Sequence, residues 1–255
     1  MTWTRLLRAE LRKLTTTRMP WAFLVVLVAM AGINAAVVIG GTDFDGTKSF
    51  LATAADQQSL VAFASNATVL AGLFGAMAVA REYAHGTVIP TFLSSPRRHR
   101  AVLAQYGAIA VGGTAIGLAG AALTNVAVAA SLPTTDFGFL IPPSAVVRVL
   151  GAAAFAGMAG ALLGAGIGTV VRNPGGAVTG AVLALIVAPP LIVQMANEAS
   201  AWVPAPLATA LSGVSAEAAG VGSQAGPVAA VVALAAWALV PALVGLVSVQ
   251  RRDVV

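Results

Sequence analysis

Cysteine is absent from this chain, and charge is scarce. Without a thiol there is no disulfide, no thiolate nucleophile and no Cys-ligated metal. Charged residues make up 9% of the 255 positions and hydrophobic ones 58%, whereas a soluble domain carries about 25% charged residues. So little charge cannot cover a surface facing water. Histidine occurs twice, as His85 and His99, both in one segment, so there is no His pair at metal-ligand spacing. No Gly-x-Ser-x-Gly elbow is present either. Hydrolase and metalloprotease chemistry is excluded by this inventory.

What the chain has instead is length without charge. Six runs, 20–42, 57–80, 101–135, 149–171, 173–197 and 218–250, contain no Asp, Glu, Lys or Arg. A bilayer core about 30 Å thick is crossed by about 20 apolar helical residues, and a charge at its centre costs roughly 2.5–3.5 kcal/mol. The pattern predicts an all-α membrane protein with six transmembrane helices at about 20–41, 58–80, 101–131, 147–171, 175–196 and 227–249. These form one domain over 20–255. The first run is too long for a signal-peptide core, so it is expected to remain as an uncleaved anchor.

The formal net charge is +5, and its placement argues for membrane topology rather than nucleic-acid binding. Arg5, Arg8, Arg12, Lys13 and Arg18 precede the first run. Arg81, Arg97, Arg98 and Arg100 follow the second, Arg172 the fourth, and Arg251 and Arg252 the sixth. Only Lys48 and Arg148 fall in the alternate loops, which hold most of the acids. The positive-inside rule then puts both termini in the cytoplasm of a multi-pass protein of the cell membrane. Trp3 and Trp21 flank the inner boundary. Trp202 lies in a long outer loop expected to hold a short interfacial helix, and Trp237 is read as a packing or lipid-facing residue.

Residues 1–19 form a separate unit. Trp3, Leu7, Leu11 and Leu14 recur at helical spacing with basic residues on the other faces. This predicts an amphipathic elbow helix along the inner leaflet. The runs themselves carry small-residue stripes. They are Ala152–Ala156–Gly160–Gly164–Gly168 in span 4, Gly113–Gly117–Ala121 in span 3 and Gly176–Gly180–Ala184 in span 5, each a surface for close helix contact. Pro189–Pro190 and Pro241 should kink or break spans 5 and 6, making span 5 a candidate pair of half-helices. Asn66 and Asn125 are candidates for a substrate path, with interhelical hydrogen bonding as their other use. No span holds an ionisable residue at its centre, which argues against ion-coupled transport. The segment 41–49 approaches a P-loop, but Thr47 separates Gly46 from Lys48, so the lysine is misplaced for phosphate.

The most specific segment follows span 2 and runs from Arg81 to Arg100. It has Glu82 at the membrane exit, Gly86-Thr87 four residues on, the apolar pair Val88-Ile89, then Phe92-Leu93 and Pro96-Arg97. This Glu-x-x-x-Gly-Thr stretch with its Pro-Arg return resembles the ABC-2 type permease family, as does the basic opening 7–14. The resemblance implies a type V-like exporter fold: the membrane subunit of an ATP-binding cassette exporter. Two such chains, as a homo- or heterodimer, would pair with two cytoplasmic ATPase subunits. ATP and Mg would be bound by the ATPase, leaving this chain with no catalytic residue, cofactor or metal. Glu82, Tyr83, Gly86, Thr87, Val88, Ile89, Phe92, Leu93, Pro96 and Arg97 would form the coupling loop. Gly86 would supply the turn, and the coupling helix has two candidate starts, Thr87 as a cap or Pro90 in the first turn. The expected cargo is amphipathic or hydrophobic, a drug-like molecule or lipid. The other readings are a membrane-anchored assembly or signalling subunit and an ion-coupled carrier.

Overall fold

The computed structural model describes residues 3–64, 67–87, 98–216 and 223–251, and every regular element among them is helical. An elbow helix α1 (Trp3–Thr16) precedes α2 (Met19–Gly40), the first span. The second span comprises α3 (Ala54–Ala64) and α4 (Thr68–Ala84). Then come α5 (Arg98–Ser131) and α6 (Pro143–Val171). Span 5 runs through α7 (Pro174–Val182) and α8 (Ala188–Met195). After a short α9 (Pro204–Leu211), α10 (Pro227–Arg251) is the sixth span. Six stretches are thus long and apolar enough to cross a membrane, and the chain is a membrane protein. Four of these helices have proline as their first residue, where its missing N–H costs no bond.

The centre of the bundle is α6, which meets its neighbours through backbone rather than side chains. A Cβ built at Gly160 would fall against the Thr68 carbonyl oxygen, and one at Gly164 against that of Gly72. At Gly168 it would lie 2.8 Å from the Ala76 carbonyl oxygen. These pairs advance together by four residues, so α4 and α6 run parallel. On another face Gly157 meets Gly113 and Gly117, while Ala153 meets Gly117 and Ala161 meets Gly113. There the order reverses and α5 is antiparallel. A third face sets Gly166 against Pro241 and Ala242 of α10. The stripes expected in spans 3 and 4 are therefore packing surfaces.

Span 5 packs through two small faces and departs from expectation in its continuity. Its fully buried face is Ala177 and Ala181, packed with Ala76 and Ala80 of α4, with Leu185 one turn further. Gly176 and Gly180, one position round the helix, are half-buried against Val171 and Ile167 side chains. The span is not two half-helices. A π turn (Leu183–Val187) joins α7 to α8, with the Ala188 N–H donating five residues back to Leu183 O. The widened turn just before Pro189 and Pro190 makes room for rings that would otherwise press on the preceding carbonyls. Helix α10 likewise continues through Pro241.

Polar side chains close the end of the bundle away from the termini. Gln57 is fully buried and fully satisfied: its amide donates to Leu51 O (3.0 Å) and Gly138 O (2.9 Å) and accepts from Leu140 N (2.9 Å). Gln58 donates to Ser212 O at 2.8 Å. Lys48 Nζ donates to the last carbonyls of α2, Val38 (2.9 Å) and Ile39 (2.5 Å). This cap is the structural use of the P-loop-like segment. Nearby, Thr47 donates its hydroxyl (2.7 Å) and its N–H (3.0 Å) to Asp45, which holds that carboxyl below the usual aspartate range. The expected helix in the outer loop is α9, but Leu207 and Ala208 bury it among α6 and α10 side chains.

Close packing on α6 makes a sharp prediction. Gly164→Ala should destabilise by about 1–3 kcal/mol, the usual range for overpacking. Gly151→Ala, on the same helix with nothing within 4 Å of the added carbon, should be neutral or stabilising by up to about 1 kcal/mol. Thermal unfolding followed by tryptophan fluorescence distinguishes them. Equal melting temperatures would contradict backbone contact as the basis of the bundle.

Candidate functional site

The terminus-bearing end of the bundle brings together groups distant in sequence. Helix α1 turns Leu6 and Glu10 inward. A carboxylate is costly to bury unless paired, and Glu10 is paired: Lys13 Nζ lies 2.7 Å from its Oε1. The same ammonium lies 3.2 Å from Glu82 Oε1, in the last turn of α4. One lysine thereby ties the elbow helix to the membrane exit of span 2. Burial alone would lower the Lys13 pKa. The hydrogen bond to Glu10 and the charges of Glu82 and Glu10 outweigh it, so Lys13 is held above the ordinary lysine range. With a folded value above the unfolded one, its contribution is complete at neutral pH and fades only as pH rises through the raised value.

The chain then leaves the membrane through a tight turn. Gly86 has φ +67°, the left-handed conformation that a glycine adopts without strain. The His85 N–H donates to Arg81 O (3.0 Å) and the Gly86 N–H to Tyr83 O (3.2 Å), closing the end of α4. Thr87 Oγ1 donates back to Glu82 O at 3.3 Å. Beside this turn the Arg172 guanidinium sits 5.4 Å from the Tyr83 ring centroid, a cation–π contact. Arg172 itself has φ +56° and ends α6. One step deeper, Tyr106 and Thr169 hydroxyls meet at 2.8 Å. Since the Thr169 proton goes to Ala165 O, Tyr106 is the donor.

Between α1, the start of α2 and the end of α4 lies a crevice of about 380 Å³. Leu14, Met19 and Ala78 give it apolar walls, and Arg81 and His85 stand in its lining with Lys13 and Glu82.

Of the residues singled out from sequence, Glu82, Tyr83, Gly86 and Thr87 are thus brought into one turn. Val88, Ile89, Phe92, Leu93, Pro96 and Arg97 lie outside the described residues, as does Asn66. In the elbow, Leu7, Leu11 and Leu14 are half-buried and Trp3 is exposed, while the face turned into the bundle centres on Leu6 and Glu10. Asn125 is buried, but among the described residues it makes no interhelical bond: its Nδ2 donates within its own helix to Ala121 O at 2.8 Å, and its Oδ1 has no partner there. Trp237 donates to Trp202 O at 2.9 Å, so it is a packing residue with a polar tether. The Glu10–Lys13 pair escaped the sequence reading, although Glu10 lies in the i, i+4 line of Leu6 and Leu14, where a charge needs a partner. Its link to Glu82 and the Arg172–Tyr83 contact had no sequence signal.

The fold and this site define a six-span helical membrane protein whose amphipathic N-terminal helix is ion-paired to the end of its second span. Compared with models of known protein families and with curated proteins, the chain matches none.

The shared lysine should show as coupling. Lys13→Met leaves Glu10 buried without its cation and should cost about 1–2 kcal/mol, since hydrogen bonds to charged groups are worth roughly 1.5–3 and the partly exposed ammonium is screened. Combined with Glu82→Gln, a double-mutant cycle should give a coupling energy of about 1 kcal/mol. Additive effects would mean that the elbow is held by packing alone.

Proposed function

We infer that this chain is the membrane subunit of an ATP-binding cassette exporter, driven by a separate ATPase bound to the segment after span 2. Both termini and that segment would face the cytoplasm, in keeping with the basic residues at that end. The reading is supported above all by the shared Lys13. A push on the segment beyond Gly86 would reach α4 through its last turn and α1 through the Glu82–Lys13–Glu10 link, so elbow and span would move as one body. The small-residue contacts between α4 and α6 suit such motion, because flat surfaces slide without unlocking side chains. The cargo class is amphipathic or hydrophobic, in keeping with spans that hold no central ionisable residue. Two copies of this chain, or this chain and a similar one, would enclose the path.

The test is co-purification of the ATPase with the full chain, followed by ATP-dependent transport in proteoliposomes. Gly86→Pro, which forbids the left-handed turn, and Phe92→Asp, which places a charge on the docking face, should each abolish the complex. Retained complex and transport in both variants would refute the reading. Gradient-driven flux without ATP would replace it with an ion-coupled carrier.

A further inference from the structure

We propose that the crevice between the elbow helix and the end of span 2 is a binding site for an anionic phospholipid, with Arg81 holding the headgroup phosphate and Leu14, Met19 and Ala78 receiving the start of the acyl chains.

Position is the first argument. The crevice lies where α1 turns into α2 at Met19, beside the last turn of α4. In a bilayer crossed by the six spans, that is the headgroup layer of the leaflet at the terminus-bearing end. Its apolar walls and polar lining match a lipid's change from chain to headgroup. Its volume falls in the range of small-molecule clefts, roughly 300–1,000 Å³.

Charge is the second. Arg81 is half-buried, and no carboxylate pairs with it among the described residues. The acids nearby, Glu10 and Glu82, are both committed to Lys13. A half-buried guanidinium with no counter-ion among the described residues calls for an anion, and its planar fork fits phosphate oxygens in pairs. The hydroxyls of Thr16, Thr17 and Thr87 donate to backbone carbonyls of Arg12, Leu14 and Glu82, and the charge of Lys13 is balanced by two carboxylates, so recognition of an added negative charge falls chiefly to Arg81.

The third is the wider field. A second groove borders the crevice through Lys13 and Thr16 and is lined by Arg5, Arg8 and Arg12. This basic face of α1 raises the local concentration of anionic lipid, from which the crevice selects one molecule. The lipid would be a resident wedge between elbow and span, not cargo. The site requires only that the bundle crosses a bilayer, not that an ATPase docks.

The experiment is native mass spectrometry of the full chain in micelles, titrated with phosphatidylglycerol or phosphatidylcholine. The wild type should bind the first more tightly by about fivefold, the factor for one cation at a membrane surface. Arg81→Gln should bring that ratio close to one, while Arg251→Gln, at the same end but outside the crevice, should leave it unchanged. Thr16→Phe, on the exposed rim, should block the crevice and lower binding of both lipids, which keeps the test intact if Arg81→Gln does not fold. An equal affinity for the two lipids in the wild type overturns the proposal. So does an unchanged ratio in Arg81→Gln, or an equal loss in Arg251→Gln, which would signify diffuse attraction. Displacement of phosphatidylglycerol by millimolar inorganic phosphate would assign the crevice to a soluble anion and likewise overturn it.

Discussion

Contact between helix backbones along α6 is the constraint on which the rest of this structure depends. Lipid tails are as apolar as leucine, so helices in a bilayer gain nothing from hiding hydrophobic surface from each other. They gain from dispersion and weak polar contacts, both of which fall steeply with distance. Glycine at 157, 160, 164, 166 and 168 brings three neighbouring helices to within carbonyl contact of α6. Substituting bulk on any of these faces moves a whole helix, not one side chain. The outer helices α2, α8 and α10 bury far less of themselves, and carry much of the exposed Val, Leu and Ile surface that lipid must cover.

Beside that closely packed centre, the terminus-bearing end is held by a few polar links. The Glu10–Lys13–Glu82 cluster, the Tyr83–Arg172 contact and the turn at Gly86 lie at one end: the first joins α1 to α4, which no small-residue stripe joins, the second adds a polar contact to the α4–α6 pair, and the third closes α4. A single ammonium shared by two carboxylates is a link that alters sharply when one partner moves, unlike a broad apolar contact. This contrast makes the end of span 2 the natural place for an external force or a bound lipid to act. The opposite end is built differently, with glutamine amides and Lys48 satisfying backbone carbonyls in the connecting loops, which fixes the loops to the helix ends.

Much of this was legible beforehand. Uncharged runs located all six spans to within a few residues, because the cost of a charge in hydrocarbon leaves little freedom in where a span ends. The stripes of spans 3 and 4 were legible because every fourth residue shares a helix face. In span 5 the same rule found one of two small faces: Gly176 and Gly180 lie against α6 side chains, while Ala177 and Ala181, one position away, are buried against α4, and only the neighbours assign each face. The proline pair announced a disturbed helix, but not that a π turn would absorb it. Gly86 was legible as a turn because its position at the span's end calls for a left-handed residue. The leucine stripe of α1 was legible from helical spacing, but not that Leu6 and Glu10 form the face buried in the bundle, because a buried charge is read only from its partner.

The sequence by itself determined that the chain is helical and membrane-spanning, since those properties follow from additive, local quantities: transfer free energy per residue and helical periodicity. Only the tertiary structure decided that α6 is the hub, that Lys13 reaches Glu82, that Gln57 lies satisfied in the interior, and that Arg81 lines a crevice with no carboxylate paired to it among the described residues. Those depend on which faces meet and in what register. Register between helices is settled by contacts among residues far apart in the chain, on which local periodicity is silent.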